Sequence, residues 1–193
     1  MKREESENQS FNKIDFNENP LEKGDYEYCQ FTACNFSKAD LSEIHFIECK
    51  FLGCNMNMAV LTKTTFMNIQ FKDCKMLGLF FEHCGPFGFS VSFENCILTH
   101  SSFYGTKLKK TLFKNSNLQN VDFSECDLNS AVFDNCDLTG AIFKNTILEK
   151  ADLRTSFGYL FDPLNNKIKK AKFSLSGIPG LLEKFDIDID MNL

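Results

Sequence analysis

Every fifth residue from Phe11 to Phe81 is large and apolar, fifteen positions without an exception. After a break, a second run from Phe93 to Leu153 adds thirteen more in a shifted phase. With 43% of the chain hydrophobic, so long a run does not arise by chance. A period of five suits neither common element. On an α-helix five residues advance about 500°, so the large side chains scatter around the cylinder. On a continuous strand an odd period sends successive centres to opposite faces. The pattern demands a short extended piece and then a corner, repeated every five residues. A chain that keeps turning the same corner closes into coils, and stacked coils bury their inward residues.

Two positions before each centre the residue is mostly small, as in Cys29, Ala39, Thr64, Ser116 and Ala151. All nine cysteines fall in this slot. Free Cys behaves as a small buried hydrophobe, so the slot reads as packing. No His or acid shares it, and no metal, cofactor or catalytic role is expected. The three histidines, His45, His83 and His100, lie outside the inward slots. No phosphate-binding Gly loop, HExxH or nucleophile elbow is present.

Sorting the centres by twenty separates them into columns. Phe11, Phe31, Phe51 and Phe71 form one, Leu21, Leu41 and Leu61 another, and Tyr26, Phe46 and Phe66 a third. Four repeats per coil follow. The expected fold is an all-β solenoid with a square cross-section, its second part having Phe on one pair of opposed faces and Leu on the other.

The expected organisation has a disordered N-terminus over 1–9, a repeat rod over 10–173 and a C-terminal helix and tail over 174–193. The break at 82–92 reads as a bulge or loop, with Phe87 as a centre and Gly85 behind it; a boundary between two rods is the alternative. Ile178, Leu181, Leu182 and Phe185 recur at i, i+3, i+4 and i+7, one face of a short helix. They are candidates for a cap and a dimer contact, because a solenoid's open end needs covering. The tail Asp186–Asp190 alternates as a strand does.

Charge bounds the function. There are 26 acidic and 21 basic residues, net −5, which argues against direct nucleic-acid binding. No apolar run of membrane-spanning length occurs, and the N-terminal decapeptide MKREESENQS lacks a signal-like apolar region. A cytoplasmic protein with reduced thiols is the expectation. From Asn115 to Phe143 there are five acids, Asp122, Glu125, Asp127, Asp134 and Asp137, and no Lys or Arg. This stretch is the candidate acidic surface for a protein partner with a basic groove.

The tandem pattern, in pieces such as Cys126-Asp127-Leu128 and Ala151-Asp152-Leu153, resembles the pentapeptide-repeat family over roughly residues 11 to 155. The resemblance implies a right-handed quadrilateral β-helix. Length, the interruption near the middle and the C-terminal helix resemble the quinolone-resistance (Qnr-type) and microcin-immunity subgroup. That subgroup implies a non-catalytic protein similar to B-DNA in width and charge, a dimer joined through its C-terminal end, and DNA gyrase or topoisomerase IV as partner. Its projecting loops are represented here only by the short 82–90 break.

Overall fold

The computed structural model describes residues 4–190. Eleven short strands are present: β1 (Glu4–Glu7), β2 (Ser10–Asn12), β3 (Gly24–Glu27), β4 (Gln30–Thr32), β5 (His45–Ile47), β6 (Lys50–Leu52), β7 (Thr65–Met67), β8 (Ile69–Lys72), β9 (Val91–Glu94), β10 (Leu112–Lys114) and β11 (Val132–Asp134). All pairing is parallel, between residues one coil apart. The first face of the rod is a seven-stranded sheet, β2-β4-β6-β8-β9-β10-β11, and the fourth begins as a four-stranded sheet, β1-β3-β5-β7. The second and third faces are carried by isolated parallel bridges, such as Asn35↔Asn55 and Ser102↔Asp122. The chain is a quadrilateral β-solenoid.

The corner explains the five-residue unit. Two residues after most centres the backbone has positive φ, as at Lys38, Met58, Ser130 and Gly140. At many of these corners, though not after the first-face centres, the amide of the following residue donates back to the centre's carbonyl, as in Ala39 to Phe36 at 3.0 Å and Ala131 to Leu128 at 3.0 Å. A positive φ at the third turn position with this bond is a type II turn, which Gly and Asn enter at least cost.

The core is two aromatic columns running up the rod. On the first face Phe31, Phe51, Phe71, Phe93, Phe113 and Phe133 stack with centroids 4.8 to 5.4 Å apart, close to the spacing of paired strands. The second column changes face. It runs through Tyr26, Phe46 and Phe66 on the fourth face, then crosses to Phe81, Phe103, Phe123 and Phe143 on the third. Beyond the crossing the two columns meet edge to face, Phe93 on Phe103 at 5.9 Å and 75°. Such geometry suits the ring quadrupoles.

The crossing coincides with the break. Phe71 pairs with Phe93, 22 residues on, so the first sheet continues through it and the structure is one rod. Phe87 is not a centre: it projects from the loop and is 84% exposed. Phe89 packs against Phe81 instead, at 6.2 Å. The Ser90 amide returns to the Phe66 carbonyl at 2.9 Å, so the inserted residues bulge outward between Gly85 and Ser90. Gly88, at φ +69, lies where an added Cβ would come within 2.5 Å of Met67 Cε.

Both ends differ from the sequence reading. Residues 4–7 are not disordered but form β1, in register with β3, and Ser6 stands opposite Tyr26; residues 1–3 lie outside the described residues. Backbone pairing recruits this strand, with the Ser6 carbonyl accepting the Cys29 thiol at 3.3 Å. At the other end the helical segment is broken up: a 3-10 turn (Leu175–Gly177), one α-helical turn α1 (Pro179–Leu182) and a second 3-10 turn (Glu183–Phe185). Pro and Gly at 179 and 180 are poor helix formers, and docking on the last coil decides the geometry. Gly180 lies where a Cβ would meet the Tyr159 carbonyl, and its own carbonyl accepts the Phe161 amide. Leu181 is buried, whereas Phe185 is 51% exposed. Residues 186–190 form no strand; the tail leaves the cap at Asp186 with φ 49.

Candidate interaction surface

Within each repeat three positions face outward: the residue before the centre and the two after it. Twenty residues bring each back to the same face, so the surface consists of four ladders of stacked side chains. The five candidate acids do not share one. Asp134 pairs beside Lys114 on the first face, Asp137 beside Asn117 on the second, Asp122 beside Ser102 on the third and Asp127 beside Lys107 on the fourth. Glu125 sits at the corner between the third and fourth faces, at φ 59. An acidic stretch in sequence becomes a belt around the rod.

Three of these acids also hold corners. The carboxylates of Asp122, Asp127 and Asp137 accept the amides of Ser124, Asn129 and Thr139 at 2.8, 3.2 and 3.0 Å. Asp15, Asp40 and Asp152, with Asn35, Asn55 and Asn117, make the same bond two residues on. The side chain satisfies an amide that the turn leaves free, as an Asx turn does. Asp137 is the most fully engaged: burial raises its pKa, but the Thr139 hydroxyl and amide and the Gln119 amide outweigh that and hold it below the ordinary 3.8. Among the others, Lys109 pairs with Asp127 at 3.1 Å. The Thr155 hydroxyl donates to Asp134 at 3.1 Å. The neighbouring Glu125 carboxylate pushes the Tyr104 hydroxyl above its ordinary value of 10.

Asp137→Ala is expected to lose about 0.5–2 kcal/mol, the scale of a lost cap, and Asp137→Asn less, since its Oδ1 still accepts. Because the folded pKa is depressed, the extra stability of the charged form is present above the unfolded pKa near 3.8 and disappears as pH falls through the folded value. Urea melts of the three proteins at neutral and acid pH check both points; equal stability of the Ala and Asn variants would remove the corner role.

The small slot does more than pack. The thiols of Cys49, Cys54, Cys74, Cys96 and Cys126 donate to the carbonyls of Tyr26, Phe31, Phe51, Phe71 and Phe103, the centres one coil back, at 2.8 to 3.4 Å. Thr64, Ser101, Thr146 and Ser156 place hydroxyls in the same bond. Where the slot holds Cys, Ser or Thr, its donor can tie one coil to the one before it, whereas Ala39, Ala59, Ala131, Ala141 and Ala151 fill the same slot by size alone. Burial pushes the Cys49 and Cys126 thiols up to about 12 and Cys136 up to about 11, which keeps them protonated. Among the described residues no group of three or more His, Cys, Asp or Glu is placed to hold a metal ion. No described helix is long and apolar enough to cross a membrane.

At the C-terminal end Ile178 and Phe185 are exposed, Leu182 is half-buried and Leu181 is covered by the last coil. Leu160, Leu164 and Leu175 are exposed on the same end. The cap thus closes the rod with Leu181 and turns several apolar side chains outward.

No curated protein matches the chain. Among solved structures, full-length QnrB1, a plasmid-mediated fluoroquinolone resistance protein, is 21% identical over 94% of this chain and 99% of that one, with a TM-score of 0.42. HetL, a pentapeptide repeat protein involved in heterocyst differentiation regulation from the cyanobacterium Nostoc sp. Strain PCC 7120, is 17% identical over 86% of this chain and 83% of that one, with a TM-score of 0.33. The sequence profile of the pentapeptide repeat region matches residues 24–85 and 89–156, the two runs on either side of the bulged loop. With large apolar centres, and mostly small residues two before them, recurring every five residues through both stretches, the chain belongs to the pentapeptide-repeat family.

Proposed function

We propose that this chain is a non-catalytic scaffold that presents its outward ladders to a protein partner. The observation carrying this reading is the third face. Between rows 20–23 and 142–145 it holds Glu22, Asp40, Glu43, Glu82, Asp122 and Glu125 against Lys23, which pairs with Glu43 at 3.0 Å, Lys63 and Lys144. Stacked coils set these rows about 4.8 Å apart along a straight rod. A rigid row of carboxylates offers a basic groove the charge that a nucleic-acid backbone would offer. The proposed partner is DNA gyrase or topoisomerase IV, with protection against quinolones as the consequence. The exposed apolar side chains of the C-terminal cap, Ile178 and Phe185 with the flanking Leu182, are proposed as an end-to-end contact between two copies.

A supercoiling assay with gyrase, with and without a quinolone, tests the partner. The chain should inhibit the enzyme or protect it, and Asp122→Lys with Glu125→Lys should weaken that effect about tenfold through lost charge complementarity. Absence of binding, inhibition and protection would reject the topoisomerase. A second reading, a scaffold for a different protein, is favoured by the spread of Asp127, Asp134 and Asp137 onto the other faces, where lysines accompany Asp127 and Asp134. Pull-down from a lysate in which gyrase is absent from the captured proteins would favour it.

A further inference from the structure

The bulged loop leaves one row of the rod without an inward centre. On the fourth face Phe66 and Leu108 are buried on either side of the break, but the residue in phase between them, Pro86, is exposed. Phe89 fills the gap in part, packed against the core and against Phe81. What is left is a cleft of about 150 Å³ at the corner between the third and fourth faces. Phe81, Phe89 and Tyr104 supply rings to its lining, and Glu82 and Lys107 supply opposite charges. The cleft is smaller than the ~300 Å³ at which pockets for drug-sized ligands begin, so its ligand is a small one.

The two charges meet neither each other nor any other group. The half-buried Glu82 carboxylate has no hydrogen bond or ion pair among the described residues, and its Oε2 is closed off from solvent. Lys107 is exposed and also makes no ion pair among them. Burial, and then the nearby Glu82 carboxylate, push the Cys84 thiol up, so that charge is felt inside the cleft. A carboxylate that has lost part of its hydration and gained no donor is where an added N–H donor contributes most. A simple cation would satisfy Glu82 but be repelled by Lys107 in the same lining. A ligand carrying both charges satisfies both side chains, and an apolar group against Phe81 and Phe89 occupies what the missing centre leaves open. We propose that the cleft binds a free α-amino acid with an apolar side chain, its ammonium on Glu82 and its carboxylate on Lys107. The site is independent of the identity of any protein partner and of the cap at the end of the rod.

The test is calorimetric titration of the full chain with L-leucine and L-phenylalanine, both of which should bind. Probes that each lack one part of leucine should bind at least about tenfold more weakly: N-acetyl-leucine without the ammonium, isoamylamine without the carboxylate, and glycine without the side chain. Glu82→Gln should weaken leucine about tenfold or more and leave N-acetyl-leucine unaffected, since that probe has no ammonium to lose. Lys107→Met should weaken leucine likewise and leave isoamylamine no weaker. A merely structural effect would weaken the whole set together, and melting temperatures check that both variants fold. Absence of leucine and phenylalanine binding at about 10 mM, where a Kd of ~1 mM would still be detected, overturns the proposal. If, in addition, the two substitutions lower the melting temperature non-additively, Glu82 pairs with Lys107 and the cleft closes on itself. Isoamylamine binding as tightly as leucine, with no loss in Lys107→Met, overturns the proposal in favour of a simple organic cation. Leucine binding that survives both substitutions unchanged also overturns it, because the ligand then sits elsewhere.

Discussion

Leu118→Asp is expected to lose at least ~3 kcal/mol of stability and to unfold the rod around its coil, because an unpaired carboxylate replaces a fully buried side chain. Leu118 stands on the second face between Leu98 and Leu138 and is wholly inaccessible. Its backbone amide donates to the Asp137 carbonyl at 2.8 Å, so the strand around it cannot turn the new side chain outward without breaking the ladder. Leu118→Met, which conserves volume, is expected to cost less than about 1.5 kcal/mol. Urea denaturation followed by circular dichroism separates the two. An Asp variant as stable as wild type would mean that position 118 is not inward.

Phe113→Ala should cost about 3–5 kcal/mol, the range for emptying an aromatic site that cannot collapse. Phe113 is stacked between Phe93 and Phe133 at 5.2 and 4.9 Å, and it meets the edges of Phe103 and Phe123 at 6.0 and 5.7 Å. Four rings hold the cavity open. Phe173→Ala, at the last coil, removes the same side chain from a half-buried place where two rings, those of Tyr159 and Phe161, approach it among the described residues. In a solenoid each repeat is stabilised by its neighbours alone, so the end position should cost far less. Equal losses at 113 and 173, measured by thermal melts, would contradict that picture.

Much of this architecture is written in the sequence because one inward residue per five, and one small residue two before it, must be apolar or compact. Columns twenty apart report the number of corners directly, since only stacked positions share the same neighbours. Other features escape for identifiable reasons. Strand β1 has Ser6 at its centre, so hydrophobic periodicity is silent where backbone pairing alone acts. Phe87 satisfies the arithmetic of the break, yet the loop bulges outward and Phe89 packs in its place. The acidic stretch looks like one surface in sequence, but neighbours in sequence lie on different faces of the rod. On this rod spatial neighbours are twenty or 22 residues apart. Asx capping, too, gives Asp122, Asp127 and Asp137 a local reason to be acids, which net charge cannot distinguish from a binding role.

The donors of the small slot reach back 23 residues almost everywhere, and the bridges span twenty or 22. Every long-range tie is therefore short in chain length, and none joins the two ends of the rod. Two adjacent coils can form a nucleus at any height, and each further coil docks on a finished template. At 85–90 the growing front must carry two extra residues and shift its second aromatic column to another wall. This loop is where assembly from the two halves should come together last.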